Sequence, residues 1–279
     1  MIYIELMGGL GNQLFQIFTI ISYSFTNKIA FKIKTTKFDQ VSPLDNVSKR
    51  PTYWNSFLKN LSLFTFNENI NLPIWREPDF IYNQIPYYQQ DFKIWGYFQS
   101  YKYFESQYDK IIKLIRLEKQ QQEIREKYNK YFNKKVISMH FRIGDYIMRP
   151  EFHPVLNISY YIAALKYLSE RENIEEYDIL YFGEERDDVK IKENIQSIQE
   201  EFPKLNFIQC PYEIVDWEQM LMMSNCQYNI IANSSFSWWG AYFNSNVERK
   251  VCYPSVWFGL AMANNLKDLF PEKWIKINI

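Results

Sequence analysis

The sequence predicts an α/β protein made of two αβ halves that meet near residue 130. Three observations carry this. The apolar run Ile2 to Leu6 ends in Gly8-Gly9-Leu10-Gly11-Asn12 and passes into a helical pattern and a second apolar run, the opening of a parallel α/β unit. From Val136 onward, short apolar runs again alternate with helical stretches. The chain has 279 residues, 47% hydrophobic and 23% charged, enough for two lobes with a real core.

In order along the chain, Leu14, Phe18, Ile21 and Phe25 recur at helical spacing, with Ile17 on the same side, and Ile29 to Ile33 reads as a second strand. Residues Thr35 to Tyr103 are rich in Pro, Asn and aromatics and follow no clear period. Lys110 to Lys130 predicts one charged helix with Ile111, Ile112, Leu114, Ile115 and Ile124 as its apolar positions. The second series sets strands at Val136–Phe141, Ile179–Phe182, Asn206–Ile208, Tyr228–Ala232 and Val251–Tyr253, the last strand expected. Helices are predicted at Tyr160–Leu168, Val189–Glu201, Trp217–Met223 and from Ser235 to Phe243. Repeats and low-complexity tracts are absent.

Composition excludes several chemistries. Thirty-two basic residues balance thirty-two acidic ones, so no bulk field selects nucleic acid or an acidic membrane. Cys210, Cys226 and Cys252 are too few and scattered for a disulfide framework or a zinc cluster. With His140 and His153 as the only histidines, a three-histidine metal site and HExxH chemistry are out. Leu14 to Phe25 is broken by polar residues and follows glycines, so it reads neither as a membrane span nor as a secretory signal, and a cytoplasmic protein is expected. The sequons at Asn46, Asn60, Asn157 and Asn233 are then chance matches. The aromatic share, 19%, fits core filling, although flat faces also suit sugars and bases.

Three segments stand out. Gly8 to Gln13 is a glycine turn opening a helix, where Gly9 and Gly11 let backbone approach an anion and Asn12 and Gln13 add amides. As a dinucleotide fingerprint it is incomplete, since Leu14 takes the third glycine's place and no acid follows near Lys32. A tight structural turn accounts for it equally. In Ser138 to Tyr146, alternation sets His140 and Arg142 on one face at the end of a strand, where open sheets bind ligands. Arg142 suits a phosphate; an Arg142–Asp145 ion pair closing a turn, with His140 in the core, is the competing reading. In Ile230 to Gly240, Asn233, Ser234, Ser235 and Ser237 flank Phe236 at a helix start and exceed what one cap needs. The Walker loop is missing, as is an Asp-x-Asp pair for a divalent ion.

Together, Gly8-Gly9-Leu10-Gly11-Asn12-Gln13-Leu14-Phe15-Gln16, Gly96 to Phe104, His140 to Tyr146 and Asn233 to Trp239 resemble the family 11 glycosyltransferases, the α-1,2-fucosyltransferases. The resemblance spans residues 8 to 239. It implies a GT-B fold, two Rossmann-like lobes with the active site in the cleft between them: residues 1–130 on the acceptor side and 131–279 binding the GDP-sugar. It implies inverting transfer of L-fucose from GDP-fucose to a glycan hydroxyl, often O2 of a β-galactoside, without a metal or other cofactor. Arg142 is then expected on the β-phosphate with His140 nearby, and Asn233, Ser234, Ser235, Phe236 and Ser237 around the pyrophosphate. Gly9 and Gly11 would belong to the donor-binding set, with Asn12 near the reacting sugar. Ile143 departs from relatives that carry a second arginine there. Asp145 is the candidate base, and Glu218 or Asp216 the candidate guanine reader. The partners expected are the donor and a galactose-terminated acceptor, with no nucleic acid, and peripheral membrane contact only if the acceptor is lipid-linked. A transferase of another nucleotide-deoxysugar, a non-catalytic carbohydrate-binding protein and an NAD-linked oxidoreductase are the alternatives. The acceptor pocket is assigned to loops such as Thr35 to Pro86.

Overall fold

A five-stranded and a six-stranded sheet, both wholly parallel, organise the chain. The computed structural model describes residues 1–35, 51–262 and 264–279, so the Asn46 sequon and much of the early loop lie outside the described residues. Two compact units are present, Met1–Gln120 with Asn264–Pro271, and Gln121–Ala263 with Glu272–Ile279.

In the first unit β1 (Ile2–Glu5) leads into α1 (Leu10–Asn27) and β2 (Phe31–Lys34). The helix is buried nearly all round: Leu14, Phe15, Ile17, Phe18, Ile20 and Ile21 are each fully enclosed. At about 1.5–3 kcal/mol per buried side chain, packing outweighs the modest propensity of its β-branched residues. Gln16 adds a polar staple, its side chain bonding both the N–H (2.9 Å) and the carbonyl (2.8 Å) of Met7. Then come β3 (Thr65–Phe66), β4 (Ile74–Arg76) and β5 (Phe92–Trp95), giving the order β3-β2-β1-β5-β4. These strands lie inside the stretch that shows no period, and two of them are too short to show one.

The single helix expected over Lys110 to Lys130 is two: α2 (Tyr108–Ile115) and α3 (Leu117–Lys127). Arg116 stands between them in the left-handed region, φ 56°, and ends α2 by donating its N–H to Ile112 and Lys113. The division between the units falls within α3.

The second unit contains β6 (Lys135–His140), α4 (Ile158–Ser169), β7 (Tyr177–Phe182), α5 (Asp188–Glu201) and β8 (Asn206–Gln209). It continues with α6 (Asp216–Ser224), β9 (Tyr228–Ile230), α7 (Ser235–Tyr242), β10 (Val251–Pro254) and β11 (Ile275–Ile277). Val251–Tyr253 is therefore not the last strand; β11 pairs beyond it. The sheet order is β11-β10-β9-β6-β7-β8. Its core gathers Ile137, Met139, Phe141, Leu165, Leu168 and Ile195, and Trp238 and Trp239 are fully buried, so these aromatics fill core. No helix among the described residues is long and apolar enough to cross a membrane.

Arg116 is exposed and adopts a backbone that costs an L-residue about 1–2 kcal/mol and glycine almost nothing. Arg116→Gly is expected to raise the midpoint of denaturant unfolding, by about 0.5–1 kcal/mol once chain entropy is counted; a lower midpoint would refute the assignment.

Candidate functional site

The six-stranded sheet reverses its strand order once. In the second unit β6-β7-β8 run one way and β9-β10-β11 the other, so the carboxyl ends of β6 and β9 flank the reversal. Open α/β sheets bind ligands in the crevice outside such a point, where the two outgoing loops part. The His140-Phe141-Arg142 segment leaves β6 there and Asn233 to Ser237 leaves β9. Tyr146 ties the loops together, its hydroxyl donating to the Asn233 carbonyl at 3.0 Å. Two tyrosines of α4, which the sequence presents as core, brace the same ends. Tyr161 donates to the His140 carbonyl at 3.0 Å, and Tyr160 to those of Ile231 at 2.6 Å and Cys252 at 3.0 Å.

The β6 segment forms the Arg142–Asp145 ion pair, with His140 in the core. His140 is buried, its ring 5.6 Å from that of Phe236, and its Nδ1 has no partner among the described residues. Burial, then the Arg142 charge, pushes its pKa down to about 3, so it is neutral. Arg142 bonds both Asp145 and Glu184, and Arg186 approaches the same Glu184 at 2.6 Å. Burial alone would lower the Arg142 pKa, but Glu184, Tyr146 and Asp145 hold it raised. Glu184 and Arg186 belong to no sequence motif; a Glu-Glu-Arg-Asp-Asp run reads as a solvated face.

The β9 loop divides its labour. Ser234 caps α7 by accepting from the Phe236 N–H at 3.3 Å, and the buried Ser237 hydroxyl bonds back to Ser234 and Ala232. Asn233 donates to the carbonyls of Pro154 (2.9 Å) and Trp257 (3.2 Å), leaving its buried Oδ1 unpartnered. Ser235 and Phe236 are half-buried. The Ser235 and Ser237 N–H groups meet no acceptor among the described residues, which leaves donors for an anion at the helix start. Glu218 is committed elsewhere: Lys127 takes both its oxygens (2.8 and 2.9 Å) and Tyr128 bonds one at 2.5 Å. It anchors the end of α3, with both its oxygens engaged there. Asp216 accepts from the Trp217 N–H at 2.7 Å in the first turn of α6.

In the first unit β1 and β5 are parallel neighbours at the middle of the sheet, so the turns that follow them leave it side by side. Gly8 has φ +77°, and a Cβ there would stand 2.6 Å from the Asn12 Nδ2. Gly9 is the extended N-cap of α1 and Gly11 is buried in its first turn. Gln13 is spent on the Gly8 and Pro51 carbonyls (3.0 and 3.2 Å), so only Asn12 is left to face a ligand. Gln99, beyond β5, donates to the Asn12 Oδ1 at 2.9 Å and aims the amide. Gln99 follows Phe98, whose φ is +54°, and that corner is fixed by Glu77, which accepts from the Tyr97 and Phe98 N–H groups at 2.9 Å each. Gly96 permits this, since a Cβ would meet the Glu77 side chain at 2.5 Å. Burial pushes the Glu77 pKa up to about 7, against the pull of those N–H groups and of Tyr103, with Asp79 adding to the rise.

A model described as Glycosyl transferase family 11 matches residues 1–278. The chain belongs to that family. It is 34% identical over 194 residues to the O-antigen biosynthesis glycosyltransferase WbnK of Escherichia coli, covering 66% of this chain and 60% of that one. It is 35% identical over 144 residues to an Escherichia coli alpha-1,2-colitosyltransferase, covering 50% of this chain and 47% of that one. The chain thus spans about three fifths and about half the length of these relatives. In structure it resembles the glycosyl transferase family 9 protein of Veillonella parvula DSM 2008, with TM-score 0.51 at 10% identity over 100% of this chain and 86% of that one. That likeness gives the family 11 chain a GT-B fold.

Glu77 keeps its proton to about pH 7 when folded and releases it near pH 4.5 when unfolded, so the folded chain binds more protons in that window and stability falls as pH rises through it. His140 acts in the opposite sense: the unfolded imidazole protonates below pH 6.5 and the folded one only near 3, so stability falls as pH drops through that range. In denaturant unfolding from pH 4.5 to 7.5, Glu77→Gln is expected to remove a downward slope of about 2 kcal/mol. An unchanged slope would refute the burial of that proton.

Proposed function

We propose that this chain is an inverting, metal-independent transferase that moves L-fucose from GDP-β-L-fucose to a glycan hydroxyl, O2 of a β-galactoside. The reading rests on the meeting, at the carboxyl ends of β6 and β9, of Arg142 with the open N–H groups at the start of α7. Membership of family 11 supports the reaction class.

Glycosyl transfer passes through an oxocarbenium-like state while the diphosphate leaves with growing charge. In this reading Arg142 and the Ser235 and Ser237 N–H groups bind that charge more strongly in the transition state than in the ground state. His140 stays neutral beside Arg142 and adds no charge of its own. Asp145 orients the guanidinium through Oδ1, and its other oxygen takes the acceptor's proton as the glycosidic bond forms and the bond to the diphosphate breaks. In the first unit Asn12, its amide aimed by Gln99, is the polar group offered to a ligand. The name of one relative keeps colitose open as the transferred sugar.

Incubation with GDP-fucose and a panel of β-galactosides in EDTA, read by mass spectrometry, is expected to yield a deoxyhexose gain with a 1,2 linkage. Arg142→Ala is expected to keep its fold and lose about 10²–10⁴ in turnover, and Arg142→Lys to recover little, because lysine lacks the planar fork. Binding of UDP and not GDP in calorimetry would overturn the donor; loss of turnover on chelation would overturn metal independence.

A further inference from the structure

The loop after β7, Gly183-Glu184-Glu185-Arg186-Asp187, lies outside every motif. β7 neighbours β6 with His140 opposite Phe182, and the Phe141 N–H donates to the Phe182 carbonyl at 2.8 Å, so this loop leaves the sheet beside Arg142. Two features fix it there. The buried Asp187 accepts from the Gly144 N–H at 2.8 Å. The Arg186 guanidinium rests on Gly144, where a Cβ would stand 2.5 Å from its Nη2. Gly144 has φ +30°, so no larger residue suits the position.

Arg186 is thereby placed within 2.6 Å of Glu184 Oε2 and 4.0 Å of Asp145 Oδ1, while Arg142 holds Glu184 Oε1 and the same Asp145 oxygen. Two guanidinium forks therefore converge on one carboxylate. A guanidinium binds phosphate with the geometry it uses for carboxylate. The Glu184 side chain is 37% exposed and that of Arg142 20%, so the acid is the partner more open to solvent.

We propose that Arg186 is a second phosphate-binding residue beside Arg142, and that Glu184 occupies their shared seat until a nucleoside diphosphate displaces it. This rests on the reading of Arg142 as a diphosphate ligand. Two cations facing Glu184 and Asp145 carry no net charge, so an incoming anion gains little until Glu184 swings out and leaves a surplus of one positive charge. A ligand that spans both guanidiniums compensates for that displacement, and one that reaches a single fork does not. The seat therefore selects diphosphate over monophosphate.

Calorimetry of the full chain with GDP and with GMP tests this, with thermal midpoints confirming that each variant is folded. Glu184→Gln is expected to bind GDP about tenfold more tightly, since it removes the competing charge while keeping the shape. Arg186→Ala is expected to bind GDP about tenfold more weakly with a much smaller change for GMP, and Arg186→Lys to fall between. Unchanged or weaker GDP binding by Glu184→Gln would make Glu184 a support for Arg142 and overturn the displacement. Equal losses for GDP and GMP in Arg186→Ala, or no loss, would remove Arg186 from the seat. If Arg142→Ala binds GDP as the parent does, or the parent binds none, the diphosphate reading itself fails and this inference with it; an effect at Arg142 with silence at Arg186 overturns the inference alone.

Discussion

A wholly parallel sheet is the constraint on which each unit depends. All strands point one way, so every loop that can carry chemistry leaves from the same edge, and only at the reversal do two neighbouring loops diverge and leave a crevice. Each unit sets its turns at the ends of two neighbouring central strands. In the first these are the turns after β1 and β5, in the second those after β6 and β9. The functional residues are spread over the chain because strand order, not sequence distance, joins them.

Loops at such an edge need support, and buried polar groups supply it. Tyr160 and Tyr161 satisfy strand-end carbonyls; Asn229 bonds Ser138 across β6 and β9 at 2.7 Å and receives Asn244 at 2.9 Å. Leaving such groups unpaired in a core costs about 1–3 kcal/mol each, so the network holds the loops in one arrangement. The Asn233 side chain does the same for two loops at once, while its Oδ1 and the His140 Nδ1 stay open. His140 ends β6 and Asn233 lies in the loop after β9, the neighbouring strands at the reversal.

Elements with a strong local signal were legible from the residues. Glycines between an apolar run and a helical pattern located the turn before α1, and a polar cluster before Trp238 located the start of α7. The rest depended on tertiary context. Tyr160 and Tyr161 look like any aromatic pair on a helix face, and their hydroxyl roles exist only because α4 crosses the strand ends. Glu184 and Arg186 sit in a charged run whose usual fate is solvation. Glu77 is separated from Phe98 by twenty-one residues, and only the pairing of β4 with β5 brings its carboxylate under that corner. β11 follows about twenty residues without a period, and Asn264–Pro271 returns to the first unit by contacts such as Lys102 with Asp268.

The two loop clusters differ in electrostatic character, and the difference follows from their residues. That of the second unit is built from full charges, Arg142, Arg186, Glu184 and Asp145, beside one neutral histidine. That of the first is built from amides: Asn12 aimed by Gln99, with Glu77 behind them retaining its proton up to about pH 7. A departing diphosphate concentrates negative charge and calls for cations that are already oriented. Fixed amide dipoles suit an uncharged polar group instead. Burial pushes the Glu77 pKa up to about 7, so below that pH the carboxyl under the Phe98 corner is mostly uncharged.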